Sequence, residues 1–157
     1  MLRRVSGLYE RFSTVIVDGG SRLESVMAAC GIGAERLLCV TAADRISLAA
    51  SYALFKVARG RFQSLPVQLV VNGSEHAEAQ DLHDLVRSAA RNFLSTDIRF
   101  GGAVPQDEKL HGLLRRGVSM TELDAESVAL SAVEEMASRM LGERDSAGGR
   151  PPLPLIR

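Results

Sequence analysis

The chain has 157 residues, 19 of them basic and 19 acidic, so the formal net charge is zero. That length suits one domain with a real core, and the hydrophobic content of 46% places it among globular chains rather than disordered ones. The cancelling charges exclude a broad basic field for nucleic acid, and five Phe, two Tyr and no Trp leave little for a base-stacking surface.

No basic cluster exceeds a pair such as Arg3-Arg4 or Arg115-Arg116. Cys30 and Cys39 lie among Ala, Leu and Val and read as small buried thiols of a reducing cytosol rather than a disulfide framework. His76, His83 and His111 do not recur at metal-ligand spacing with either cysteine. Arg3 and Arg4 precede no apolar stretch, and no run approaches the ~18 apolar residues of a membrane span. A cytoplasmic location is the expectation.

Residues 2–12 carry Leu2, Val5, Leu8 and Tyr9 at helical spacing. Thr14-Val15-Ile16-Val17 is a short β-branched run that reads as a strand buried on both faces. It ends in Asp18-Gly19-Gly20, which puts a carboxylate and a sharp turn at the carboxyl end of that strand, where open α/β sheets bind their ligands. Leu23–Cys30 follows as a helix with Leu23, Val26, Met27 and Cys30 on one face, stopped by Gly31 and Gly33.

Leu37–Thr41 reads as a second buried strand. Asp44 or Ser47 then caps a helix through Arg59, with Leu48, Tyr52 and Phe55 inward and Gly60 just past its end. Val67–Val71 is a third strand, closed by Asn72-Gly73, and 75–94 a long amphipathic helix with Ala79, Leu82, Leu85, Val86, Ala89, Ala90, Phe93 and Leu94 as its apolar stripe. Ile98–Val104 is a weaker fourth strand, Glu108–Arg116 a short helix, and Thr121–Leu141 a last helix with Thr121 as N-cap and Asp124 in its first turn. The expected domain spans 1–141, and the Gly- and Pro-rich stretch 142–157 reads as a disordered tail.

Strands alternating with helices specify an α/β fold, a mostly parallel sheet with helices on both faces. Asp18-Gly19-Gly20, Thr41–Asp44 and Asn72-Gly73-Ser74 then converge on one carboxyl edge. On residue type alone, Asp18 is either a Mg²⁺-associated carboxylate or a turn and capping residue. Asn72-Gly73 is either a recognition element or a turn dipeptide, and Pro105 with Asp107 either a binding loop or a loop and helix cap.

In order along the chain, Val15-Ile16-Val17-Asp18, Thr41–Leu48 with Ser51–Lys56, Val70-Val71-Asn72 and Gly102-Ala103-Val104-Pro105-Gln106-Asp107 form a recognisable set. From about Phe12 to Met120 the sequence resembles the carboxyl-terminal half of the MinD/ParA family of deviant P-loop ATPases, its MinD-like flagellar-number branch above all. The resemblance implies a partial P-loop NTPase fold of the SIMIBI type, with ATP and Mg²⁺ as cofactors. It implies that Asp18 belongs to the acidic strand motif near the metal, that Asn72 meets the adenine edge, and that the loop with Pro105 and Asp107 closes over the base. Two departures stand against an active enzyme. No Gly-x-x-x-x-Gly-Lys-Ser/Thr occurs, so the amide cradle and lysine that position phosphates are missing. Arg22 also replaces the glycine expected in the switch after Asp18.

The resulting expectation is a truncated or degenerate homologue that does not hydrolyse ATP alone. It would act through protein contacts in cell positioning, flagellar or partition regulation, with ATP binding weak or lost. Glu122, Asp124, Glu126, Glu134 and Glu135 make the last helix acidic, which disfavours direct binding to anionic membrane. A sheet lacking a neighbour at its edge invites a protein partner or self-association. The alternative is a receiver- or flavodoxin-like signalling module with Asp18 as phosphoacceptor at the active edge.

Overall fold

A computed structural model describes Leu8, residues 11–117 and residues 127–146. Its elements are α1 (Leu23–Gly31), β1 (Leu37–Ala42), α2 (Arg45–Arg61), β2 (Val67–Asn72), α3 (His76–Leu94), β3 (Ile98–Val104), α4 (Glu108–Arg115) and α5 (Val128–Ser146). The three strands form one parallel sheet in the order β1-β2-β3, so the expected α/β class holds.

Local chemistry sets several boundaries. Asp44 starts α2 by accepting the backbone N–H of Ile46 and of Ser47, both at 2.9 Å, which satisfies two donors that have no partner within the helix. The helix runs past Gly60 to Arg61, and the N–H of Phe62 closes it on the Ala58 carbonyl at 2.7 Å. At the end of α3, Ser95 adopts the left-handed conformation with φ of 49° and returns its N–H toward Ala90.

The sheet's first face is covered by α2 and α3. Cys39, Leu48, Phe55, Leu69, Val86, Ala90 and Ile98 form the buried cluster between them. Full burial of each large apolar side chain there contributes about 1.5–3 kcal/mol. Beside it, α1 packs Val26, Met27 and Cys30 against Ala58, with Leu37 and Phe62 at the margin. On the second face Val70 and Gly102 are register partners, and a Cβ at Gly102 would meet Met136 of α5 at 3.4 Å. Helices therefore lie on both faces, but α5 reaches only the β3 side.

Four expectations need correction. Thr14–Val17 is not a strand: the segment joins no ladder, and Ile16 is 91% exposed. Its β-branched composition does not by itself make a strand, because that preference reflects packing on neighbours rather than the backbone alone. β1 is buried on one face rather than two, with Val40 60% exposed. In α3, Leu85 and Phe93 point outward, at 65% and 77% exposure, while His83 is buried. Finally, α5 continues through Gly142 to Ser146, so the first residues assigned to a tail are helical. Most of 2–12, with Leu123, Thr121 and Asp124, and 147–157 lie outside the described residues.

Candidate functional site

Two strand endings are stitched together at the carboxyl edge. The N–H groups of Gly73 and Ser74 donate to the Val104 carbonyl at 2.7 and 3.2 Å. Gly73 has φ of +76°, a conformation glycine adopts without a Cβ penalty, and Gln106 packs 3.7 Å from the position a Cβ would take. The turn after β2 therefore lies directly against the loop after β3. Asn72 stands exposed at the end of its ladder, opposite Val104. Pro105 is half-buried and lines a cleft of about 220 Å³ with Glu75, His76, Gly102, Glu135 and Arg139. Arg139 is held there by donating from Nη2 to the Gly101 carbonyl at 3.0 Å.

Asp107 is committed to structure. One carboxylate oxygen accepts the N–H of Leu110 at 2.8 Å and so caps α4. The other accepts the Ser127 hydroxyl at 2.6 Å and the N–H of Ala129 at 3.4 Å. Ser127 in turn accepts the N–H of Leu130 at 3.2 Å, which caps α5. The carboxylate thus ties the starts of two helices together across 20 positions of sequence. The Ser127 hydroxyl, and then the Leu110 N–H, hold its pKa below the ordinary carboxylate value. A depressed pKa stabilises the fold above the unfolded value of about 3.9, and that stability is lost as pH falls through the folded pKa. Asp107→Asn should therefore lower the melting temperature at neutral pH and flatten its decline on acidification below about pH 4. Thermal melts from pH 7 down to pH 2 measure this, and parallel curves for the two proteins would contradict it.

Asp18 does not join this group. Its side chain accepts the N–H of Gly20 at 2.8 Å in an exposed Asx turn leading into α1. The structure sets Asn72 against the loop that carries Pro105 and Asp107, and among the described residues no hydrogen bond links Asp18 to any of them.

Among the described residues no group of three or more His, Cys, Asp or Glu is placed to hold a metal ion. Mg²⁺ bound with a nucleotide draws on one or two carboxylates plus phosphates that are themselves cradled by backbone amides. Asp18 offers one carboxylate, already in a turn, and the loop that would supply the amides is missing from the sequence. The residues present do not fit Mg²⁺–ATP as a whole. What remains at the edge is the exposed Asn72 amide, with a donor and an acceptor, opposite Val104 at the start of the Pro105 loop.

Sequence reasoning missed two residues. Ser127 was not recognised as the partner of Asp107, although a serine three residues ahead of Leu130 is an N-cap pattern. His83 was not singled out as structural. Its Nε2 faces the Ile98 carbonyl at 2.9 Å and its Nδ1 lies 3.3 Å from Gln80 and 3.1 Å from Asp84, so both ring nitrogens are satisfied between α3 and β3. The cysteines do not supply a nucleophile. Burial pushes both thiols up, and for Cys39 this outweighs its contact with Ser51 at 3.5 Å. A thiol so shifted stays protonated and inert. No helix among the described residues is long and apolar enough to cross a membrane.

No protein-family model matches the chain, and no curated protein matches it.

Proposed function

We propose that this chain is a MinD/ParA-like domain that works by protein contact, in cell-positioning, flagellar or partition regulation, with nucleotide binding weak or lost. One observation carries the reading. The segments that resemble the family's base-binding elements, Val70–Asn72 and Gly102–Asp107, lie side by side through the Gly73–Val104 and Ser74–Val104 hydrogen bonds. The phosphate-binding part has no counterpart in the sequence. Phosphoryl transfer depends on positioning and charge neutralisation by that loop and Mg²⁺. A site with only its base-facing side retains little affinity, and Asp107 adds none because its oxygens are occupied by Leu110, Ser127 and Ala129.

Calorimetric titration with ATP and Mg²⁺ tests the nucleotide half of the proposal. We expect binding weaker than about 1 mM, corresponding to less than about 4 kcal/mol, and no turnover. Micromolar affinity with hydrolysis by this polypeptide would overturn it. The alternative, Asp18 as phosphoacceptor, gains nothing from the geometry. That carboxylate caps its own turn, and among the described residues it belongs to no group of three or more His, Cys, Asp or Glu placed to hold a metal ion.

A further inference from the structure

The start of α3, the end of β3 and one face of α5 border the cleft of about 220 Å³, and its walls carry opposite charges. Glu75 comes from the residue before α3, and Glu135 and Arg139 come from α5. Ala132, Glu135 and Arg139 are spaced by three and four, so one face of α5 presents all three. A glutamate four residues ahead of an arginine is the arrangement in which helical ion pairs form. Arg139 instead turns Nη2 to the Gly101 carbonyl at 3.0 Å, and the ion pairs among the described residues engage Asp84 and Asp97. Glycine at position 102 admits this arrangement, since a Cβ there would lie 3.1 Å from Nη2. The guanidinium is thus fixed in the cleft by a neutral acceptor, and that bond uses one of its five N–H donors. Beside Glu75, the His76 ring stands edge-on to Phe100 with centroids 5.3 Å apart, which steadies the opposite wall.

We propose that this cleft binds a free basic α-amino acid. Its α-carboxylate takes the Arg139 fork, its α-ammonium takes Glu135, and the cation at the end of its side chain takes Glu75 across the cleft. Size, charge and spacing select this class. The volume lies below the roughly 300–1,000 Å³ of sites for drug-sized ligands, so the occupant is of amino-acid size. One guanidinium against two carboxylates leaves the walls net negative, which matches a ligand with one anionic and two cationic groups. Side chains four apart on a helix start about 5–6 Å apart, close enough for Glu135 and Arg139 to grip an ammonium and a carboxylate carried by one carbon. Pro105 and Ala132 supply apolar surface for the methylenes between the two ends. A lysine inside a partner protein lacks the free α-ammonium and α-carboxylate that this pair recognises.

Amide spectra recorded during titration with L-lysine and L-arginine test the assignment. Saturable shifts of His76, Gly102, Ala103 and Ala132 are expected, with a Kd of about 1 mM or tighter. L-leucine, without the second cation, should bind about tenfold more weakly, as loss of one charged hydrogen bond implies. Nα-acetyl-L-lysine and acetate should bind more weakly still. Glu135→Gln and Arg139→Gln should each weaken L-lysine about tenfold or more, whereas Glu75→Gln should bring L-lysine down to the level of L-leucine. All three side chains are exposed, so circular dichroism should show the variants folded, and Glu24→Gln on α1 should bind as the parent does. No saturation by either basic amino acid overturns the assignment. So does equal binding of acetate, which would mark a plain anion site, or L-lysine binding indifferent to Glu75→Gln and Glu135→Gln. None of these outcomes bears on the ATP titration, so this site and the proposed function fail separately.

Discussion

Phe55→Ala is expected to lose about 3–5 kcal/mol of stability, as buried aromatic truncations do. That is a large share of the roughly 5–15 kcal/mol by which a domain is stable at all. Phe55 is 1% exposed and packs in the cluster where α2 and α3 meet the sheet, among Leu48, Leu69, Val86 and Ile98. Leu69 and Ile98 belong to hydrogen-bonded strands, which limits how far the cavity can collapse and keeps the cost near the upper end. Urea denaturation should show the midpoint falling with little change in m-value. The same substitution at Phe93, on the outer face of α3, should stay within about 0.5 kcal/mol. Comparable losses at both positions would mean that the faces of α2 and α3 are assigned wrongly.

That contrast marks how much of the fold was legible. From Leu23 to Arg115 element type and order were, because a β-branched run between turn residues, or an apolar residue every three to four positions, states its own period. Asp44 and Gly73 could be placed for the same reason, since a helix cap and a left-handed turn are local events. The phase of α3 was not legible. Its apolar positions from Ala79 to Leu94 span two adjacent stripes, and periodicity alone cannot say which one meets the sheet. The structure chooses the stripe with Ala79, Val86 and Ala90, and admits His83 because its ring reaches the Ile98 carbonyl on the adjoining strand.

Val15–Val17 fails for a related reason. Composition can show that a segment would suit a strand, but the partner that makes it one is decided by the rest of the fold. At the candidate site, the turns after β2 and β3 could be expected to converge because parallel strands end on one side. That Asp107 caps the helix after it was one of two local readings, but its second role could not be read, since its other oxygen accepts from Ser127 and Ala129 about twenty residues downstream. A carboxylate at the right place in a binding loop and a carboxylate capping two helices look alike in sequence.

Gly101→Val should be the second costly change, and it links stability to the candidate site. The ladder between β2 and β3 slips here: Leu69 pairs with Phe100 and Val70 with Gly102, leaving Gly101 as the extra residue of a bulge. A Cβ at Gly101 would lie 2.8 Å from Cγ2 of Val70 and 3.1 Å from the Leu69 carbonyl oxygen. Val70 is almost fully buried and the carbonyl is main chain of the central strand, so neither can give way cheaply. Overpacking of this kind costs about 1–3 kcal/mol, and the clash with backbone points to the high end. The bulge also sets the course of β3 into Val104 and Pro105, and the Gly101 carbonyl anchors Arg139 in the cleft. Relief of the clash must therefore shift the loop that packs on Gly73. In amide spectra of Gly101→Val, the signals of Gly73, Ser74 and Gln106 should move together with those of Val70. Gly112→Ala on α4 is the matched control. No atom lies within 4 Å of its Cβ position, and removing a helical glycine should stabilise by about 0.5–1 kcal/mol. If Gly101→Val melts like the parent and leaves Gly73 unmoved, the bulge does not position the edge that carries Asn72 and Pro105.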